Sequence, residues 1–147
     1  MKAIIILIIA LVFIPSAIAQ QQGSLTSESL KAKINHINDL QNRILMKGSK
    51  VADVDKLFEN FTDDFTYVHQ VYGGTYKKEH LYNNYVRFLK AGDYQYTKDR
   101  YKIISMIAGY NAVSVERQQI HEGQKENHLT VFEFKGDKVS RIIEYWK

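Results

Sequence analysis

The sequence predicts one α+β domain in which about three helices pack against a curved mixed or antiparallel β-sheet. Apolar residues recur at helical spacing in the first part of the chain, and β-branched and aromatic runs separated by glycines dominate the second half. With 147 residues, of which 45% are hydrophobic and 24% charged, the chain has the composition of a globular protein. The predicted element order is α-α-β-α-β-β-β-β.

Two helices are predicted at the N-terminal side of the domain. The apolar residues between 30 and 45 follow each other at steps of three and four, which places them on one helix face. Thr26 or Ser27 can cap the start of this helix, and Gly48 can end it. A shorter helix is predicted over residues 51–61.

The pattern then changes to alternation, which indicates a strand over residues 64–69. Gly73 and Gly74 break this strand. A third helix is predicted over residues 77–91, with Thr75 as its N-cap and Gly92 as its C-terminal stop.

The remaining sequence is typical of a β-meander. It contains four runs of β-forming residues, interrupted by Gly109, Gly123 and Gly136. The predicted strands cover residues 94–107, 112–122, 128–135 and 138–146.

The first nineteen residues are typical of a secretion signal. Lys2 is followed by a twelve-residue apolar run and by Ala17-Ile18-Ala19, a small-x-small cleavage site. Because the run is too short to cross a bilayer, we expect no stable membrane anchor. We predict cleavage between Ala19 and Gln20, a flexible leader over residues 20–28, a domain over residues 29–147, and a periplasmic or extracellular location.

Several classes of site are disfavoured by residue type. The chain has no cysteine, which excludes disulfides and thiolate zinc sites. Its net charge of +4 comes from basic residues interleaved with acidic ones, so nucleic-acid binding is not expected. His121 and His128, with Glu122 or His80, are the only metal-site candidates, but their spacing matches no zinc signature. We predict neither a metal nor a cofactor.

Three segments in this order resemble the nuclear transport factor 2-like superfamily, which includes ketosteroid isomerases, scytalone dehydratase and the SnoaL-type cyclases. They are the strand segment 61–69, the Gly73-Gly74 break before Lys77-Lys78-Glu79-His80-Leu81, and the ending 136–146. The resemblance covers nearly all of the chain after the first nineteen residues. It implies a cone-shaped fold with a pocket at its wide end.

The resemblance also implies candidate site residues. It places His69 where ketosteroid isomerases have their general base, and an imidazole there is suited to proton transfer near neutral pH. It places Thr130 where those enzymes have an acid, and no tyrosine where residues 42–44 lie. Because the oxyanion-binding groups are missing, ketosteroid isomerisation is not expected.

The last strand can face the pocket in either of two registers. In the first, Ile142, Glu144 and Trp146 face it, and Glu144 becomes a second candidate catalytic residue beside His69. In the other, residues 141, 143 and 145 face it and Glu144 is solvated. A buried pair between Arg117 and Glu144 is a third possibility.

The predicted function is to bind a small apolar or aromatic molecule. The alternatives are a cofactor-free isomerase, dehydratase or cyclase with His69 as general base, and a dimerisation module; a homodimer through the sheet face is expected. Tyrosine is abundant, with ten in the chain, and its ring suits such a ligand. Tyr94 and Tyr96 are assigned instead to the surface or a dimer face. The predicted ligand-binding residues are Tyr67, Tyr72, Tyr85, Arg117, Thr130, Phe132, Ile142 and Trp146.

Overall fold

The computed structural model describes residues 25–121 and 123–147, without the side chain of residue 121. Its helices are α1 (Ser27–Leu45), α2 (Val51–Phe58) and α3 (Lys78–Ala91). Its strands are β1 (Phe61–His69), β2 (Thr75–Lys77), β3 (Lys102–Gly109), β4 (Ala112–His121), β5 (Gln124–Lys135) and β6 (Lys138–Tyr145). The predicted order is confirmed, with the short strand β2 in addition. The predicted secretion signal lies outside the described residues.

The helix ends follow local capping chemistry. The Thr26 hydroxyl accepts a hydrogen bond of 3.2 Å from the Ser29 amide and so caps α1, which includes the last two residues of the predicted leader. Gly92 ends α3 with a φ of 80°, a left-handed conformation in which a side chain would be strained. The prediction that Thr75 caps α3 is wrong, because Thr75 pairs with Val68 in β2 and Lys77 is the N-cap.

The six strands form one mixed sheet in the order β2-β1-β6-β5-β4-β3. The β1–β6 pair is parallel, and the other four pairs are antiparallel. β1 therefore lies beside the last strand of the chain, and this pairing brings residues 67–69 next to residues 142–144. Within the described residues, none of the helices combines the length and apolarity that a membrane crossing requires.

The helices cover one face of the sheet and enclose the core. Ile34 and Ile44 of α1, Leu57 of α2, and Phe132 and Ile142 of the sheet belong to one cluster of buried residues. Burying each such side chain contributes about 1.5–3 kcal/mol. The apolar face predicted for α1 is thus the face that packs on the sheet.

The predicted strand over residues 94–107 is partly wrong. Residues 93–101 form a loop, called here the α3–β3 loop, and β3 begins only at Lys102. Tyr96 makes an isolated bridge to Met46 just after α1, so this part of the loop is held to a helix end instead of joining the sheet. β5 is longer than predicted because it begins at Gln124.

Candidate functional site

A cavity of about 530 Å³ lies between the helices, the sheet and the α3–β3 loop. Its wall combines aliphatic side chains of the core with charged groups and a set of aromatic side chains. The aromatic residues whose side chains carry a hydroxyl or an N–H group are Tyr67, Tyr85, Tyr94, Tyr96, Tyr101 and Trp146. A depression of about 550 Å³ beside α2 and α3 differs because exposed carboxylates line much of it.

The α3–β3 loop is positioned by one buried amide of α1. Asn42, which is 3% exposed, donates to the Tyr101 carbonyl at 2.9 Å and accepts from the Tyr101 amide at 2.9 Å. In the middle of the loop, the Tyr96 carbonyl accepts a hydrogen bond of 2.9 Å from the Lys47 amide, just after α1. These bonds fix the backbone that presents three tyrosines and Arg100 to the cavity.

The polar side of the cavity is an ion pair between Arg117 of β4 and Glu144 of β6. Arg117 Nη2 lies 2.8 Å from Glu144 Oε1, and the two residues are 2% and 7% exposed. Arg117 also donates to Gln41 Oε1 at 2.7 Å and to Thr130 Oγ1 at 3.1 Å. Its guanidinium carbon lies 4.7 Å from the centre of the Tyr101 ring, so the cation is packed as well as paired.

Both oxygens of the Glu144 carboxylate accept hydrogen bonds. Oε1 accepts from Arg117, while Oε2 accepts from the Tyr67 hydroxyl and the Trp146 indole N–H, each at 2.7 Å. A buried carboxylate with a cation and two further donors is well compensated for its lost hydration. Three of its roughly four lone-pair sites are therefore occupied.

Four tyrosines of the cavity have a raised pKa. Burial, with the nearby Glu144 carboxylate, raises the pKa of Tyr67 far above its ordinary value. Burial also raises the pKa of Tyr85 and Tyr101, and it raises that of Tyr94 to about 12. Each phenol is thus a hydrogen-bond donor at neutral pH.

Most of the predicted site residues lie in this wall. The structure has the register of the last strand in which Glu144 faces the cavity, together with the buried Arg117–Glu144 pair. Glu144 and five of the predicted ligand-binding residues line the cavity; those five are Tyr67, Tyr85, Arg117, Ile142 and Trp146.

Three predicted ligand contacts lie elsewhere. Thr130 is fully buried and uses its hydroxyl to accept from Arg117, and Phe132 is a core residue on the same strand face. Tyr72 lies in the turn after β1, is 69% exposed, and packs on the His69 ring at 4.5 Å. Thr130 supports the cavity wall through Arg117, whereas Tyr72 belongs to the surface.

His69 does not line the cavity. It is 6% exposed and packs edge-to-face with the Trp146 indole, with ring centres 4.8 Å apart. Its Nδ1 accepts from the Tyr72 amide at 3.4 Å, and its Nε2 is buried without a hydrogen-bond partner among the described residues. The structure thus differs from the expectation for His69, because Trp146 lines this cavity and His69 packs against Trp146.

The histidines considered as metal ligands form no metal-binding cluster among the described residues. Within residues 25–121 and 123–147, no group of three or more histidine or acidic side chains is arranged to hold a metal ion. His128 is buried and stacks on Trp146, whereas His80 is exposed and stacks on Tyr76. The His121 side chain and Glu122 lie outside the described residues.

Sequence reasoning missed Gln41, Arg100 and Tyr101, and it misassigned Tyr94 and Tyr96 to the surface. The three tyrosines and Arg100 were missed as cavity residues because an aromatic, charged run resembles an exposed strand. The available signal for Gln41 was its spacing from Ile37 and Leu45, which puts a polar side chain on the apolar face of an amphipathic helix.

Comparison with known proteins identifies the fold. A protein of unknown function from Burkholderia xenovorans LB400, described as NTF-2 like, superposes with a TM-score of 0.60 at 15% identity, covering 80% of this chain and 82% of that one. The chain has the nuclear transport factor 2-like fold. No protein-family model matches the sequence, and no curated protein matches it.

Two further solved structures resemble the chain over most of its length. A putative ketosteroid isomerase from Kribbella flavida has a TM-score of 0.61 at 14% identity, covering 82% of this chain and 79% of that one. A hypothetical protein with a ketosteroid isomerase-like fold from Catenulispora acidiphila, solved in complex with trimethylamine, has a TM-score of 0.51 at 15% identity, covering 76% of this chain and 85% of that one. At these identities the likeness is one of fold.

Proposed function

We propose that this domain binds a small, largely apolar molecule that contains a ring. The observation that carries the proposal is the cavity of about 530 Å³ with its aromatic wall and buried polar side. This volume lies within the range of about 300–1,000 Å³ that is typical of small-molecule sites. Rings such as Tyr85 and Tyr101 provide flat apolar surface, and their hydroxyls can orient a bound molecule.

Binding is favoured over acid–base catalysis by the state of the two candidate catalytic residues. Trp146 separates His69 from the cavity wall, and Glu144 already accepts three hydrogen bonds. A general base must reach the substrate with a free lone pair, and Glu144 keeps only about one of its four. The cofactor-free isomerase, dehydratase or cyclase remains the alternative that a turnover assay would support.

The compartment and the assembly are further parts of this proposal. The N-terminal sequence supports secretion to the periplasm or the outside of the cell. A homodimer is supported by apolar residues on the outer sheet face, which is the face turned away from the helices. Its exposed members are Ile104, Ile107, Ile120, Leu129 and Tyr145.

The test is retention of a neutral probe by the protein purified from its full-length chain. N-phenyl-1-naphthylamine is uncharged and fluoresces when it leaves water, so we expect saturable fluorescence with the wild-type protein. Leu81→Trp places a larger ring in the cavity wall and should reduce this binding at least fivefold. Native mass spectrometry of the same sample would reveal a co-purified molecule.

Leu89→Trp is the matched control, because Leu89 lies on the same helix and packs against the core without lining the cavity. Equal binding by the Leu81→Trp and Leu89→Trp proteins would place the probe elsewhere and overturn the proposal. Absence of saturable binding by a folded wild-type protein would do the same.

A further inference from the structure

The two arginines of the cavity wall differ in how their charge is compensated. Arg117 is paired with Glu144 at 2.8 Å. Arg100 has no carboxylate within 4 Å in the described part of the chain, although it is only partly exposed and lines the same cavity. Asp93, the other acidic residue of the wall, is exposed to solvent. The buried carboxylate of the cavity is therefore committed to Arg117, and the Arg100 guanidinium is the charged group of the wall that lacks a direct ion-pair partner among the described residues.

The orientation of Arg100 is fixed by a chain of hydrogen bonds. Gln119, which is 3% exposed, donates from Nε2 to Glu126 at 2.8 Å, so its carbonyl oxygen is free to accept from Arg100 Nε at 2.7 Å. The guanidinium carbon also lies 5.5 and 5.2 Å from the centres of the Tyr96 and Tyr101 rings. Because Nε is occupied, the edge formed by the two Nη atoms is the one left for a ligand.

A second group of unoccupied donors lies on the α1 side of the cavity. Arg117 can only donate, so its bond to Gln41 Oε1 fixes the amide and turns Gln41 Nε2 away from the ion pair. Among the described residues Nε2 has no hydrogen-bond acceptor, and neither do the hydroxyls of Tyr85 and Tyr101. The polar groups that a ligand would meet are thus mainly donors, and they call for acceptor oxygens.

We infer that the ligand is an organic carboxylate: a ring-containing apolar body whose carboxylate pairs with the free Nη edge of Arg100. A planar guanidinium edge matches a carboxylate with two parallel hydrogen bonds, a geometry that an ammonium or a neutral amide does not provide. The apolar body of the ligand packs against the aromatic wall, and an acceptor oxygen at the far end of the ligand accepts a hydrogen bond from the Gln41 amide. The inference rests on the proposed function and deepens it.

The experiment compares probes that share one ring system and differ in charge. Calorimetry would measure binding of 2-naphthoate, 2-naphthamide and a naphthylmethyl trimethylammonium ion to the full-length protein. We expect 2-naphthoate to bind at least about tenfold more tightly than 2-naphthamide, because hydrogen bonds to a charged group are the stronger class. The cation should bind most weakly.

Variants of Arg100 locate the effect. Arg100→Gln should bring the affinity for 2-naphthoate to within about threefold of that for 2-naphthamide. Arg100→Lys should give an intermediate preference, because lysine keeps the charge but lacks the planar edge with two parallel donors. Arg141→Gln removes an equal charge from the outer sheet face and should leave the preference unchanged. Arg100 lies in a loop and is only partly buried, so these proteins should fold, which circular dichroism would verify.

The outcomes separate the inference from the proposed function. Equal affinity for 2-naphthoate and 2-naphthamide, or tightest binding of the cation, would overturn the carboxylate inference while leaving a ligand-binding cavity. An unchanged preference in Arg100→Gln would also overturn it. If neither N-phenyl-1-naphthylamine nor any of the three naphthalene probes binds, the proposed function is overturned, and the carboxylate inference with it.

Discussion

The imidazole of His128 lies flat on the indole of Trp146, with ring centres 4.5 Å apart and planes only 6° from parallel. The His69 ring is edge-to-face with the same indole, so the residue after the last strand contacts two buried histidines. Trp146 in turn donates to Glu144. The wall of the cavity at this end therefore packs against a titratable ring, that of His128.

The first prediction concerns pH. Burial lowers the pKa of His128 below its usual 6.5, against the opposing effect of Glu126, whose carboxylate is 3.6 Å from Nε2. Between the lowered pKa and 6.5 the unfolded chain binds more protons than the folded one, so the free energy of unfolding falls as the pH decreases through that range. One such group changes it by at most about 1.4 kcal/mol per pH unit.

Urea unfolding between pH 5 and 7.5 would measure this effect. His128→Phe keeps a ring against Trp146 but cannot be protonated, and it should reduce the slope. His36→Gln removes an exposed histidine from α1 and is the control. Equal slopes for the wild-type and His128→Phe proteins would contradict the prediction.

The second prediction concerns the Arg117–Glu144 pair. Replacing either partner leaves a buried charge without its counter-ion, so Arg117→Met and Glu144→Gln should each lower the free energy of unfolding by about 3–5 kcal/mol. The double variant leaves neither charge uncompensated and should lose much less than the sum of the two. Urea denaturation of the four proteins provides the double-mutant cycle, and additive losses would show that the two charges are not coupled.

The Arg117–Glu144 pair also shows which structural features can be predicted from the sequence. Both faces of the last strand carry apolar residues, so the pattern around Glu144 permits two registers. The register follows from pairing with strands far along the chain, where Glu144 is opposite Thr130 on one side and His69 on the other. The helix face of α1 and the stop at Gly92 were predictable because they depend on neighbours within a few residues.

The α3–β3 loop is the clearest failure of the sequence pattern. Its run of tyrosines and charged residues has the composition of an edge strand. Its conformation depends on the Asn42 side chain, which bonds the backbone of a residue 59 positions away. No local propensity encodes such a contact, and so the residues that supply Arg100 and Tyr101 to the cavity were assigned to the wrong element.

The third prediction isolates one hydrogen bond to Glu144. Tyr67→Phe removes the hydroxyl that donates to Oε2 at 2.7 Å and leaves the ring in place. We expect the free energy of unfolding to fall by about 1.5–3 kcal/mol, the usual range for a bond to a charged group. Tyr110→Phe is the control because Tyr110 is 84% exposed. Equal stability of the two variants would show that the Tyr67 hydroxyl does not stabilise the carboxylate.

The fourth prediction tests a structural role for His69. His69→Ala removes the ring between Tyr72 and Trp146, and we expect a loss of about 1–3 kcal/mol in the free energy of unfolding. His80→Ala, at an exposed position, should change it by less than about 0.5 kcal/mol. A His69→Ala protein with wild-type stability would mean that this ring is dispensable for folding and would reopen a catalytic role.

The last prediction concerns the proposed homodimer. Leu129 and Tyr145 are directly opposite each other on neighbouring strands, are 46% and 44% exposed, and lie on the outer sheet face. Leu129→Lys would place a charge in the centre of a dimer interface, so sedimentation velocity should show a dimer for the wild type and a monomer for the variant. Val71→Lys changes an equally exposed apolar residue in the turn after β1 and should leave the dimer intact. A monomeric wild-type protein, or a Leu129→Lys protein that remains dimeric, would exclude assembly through this face.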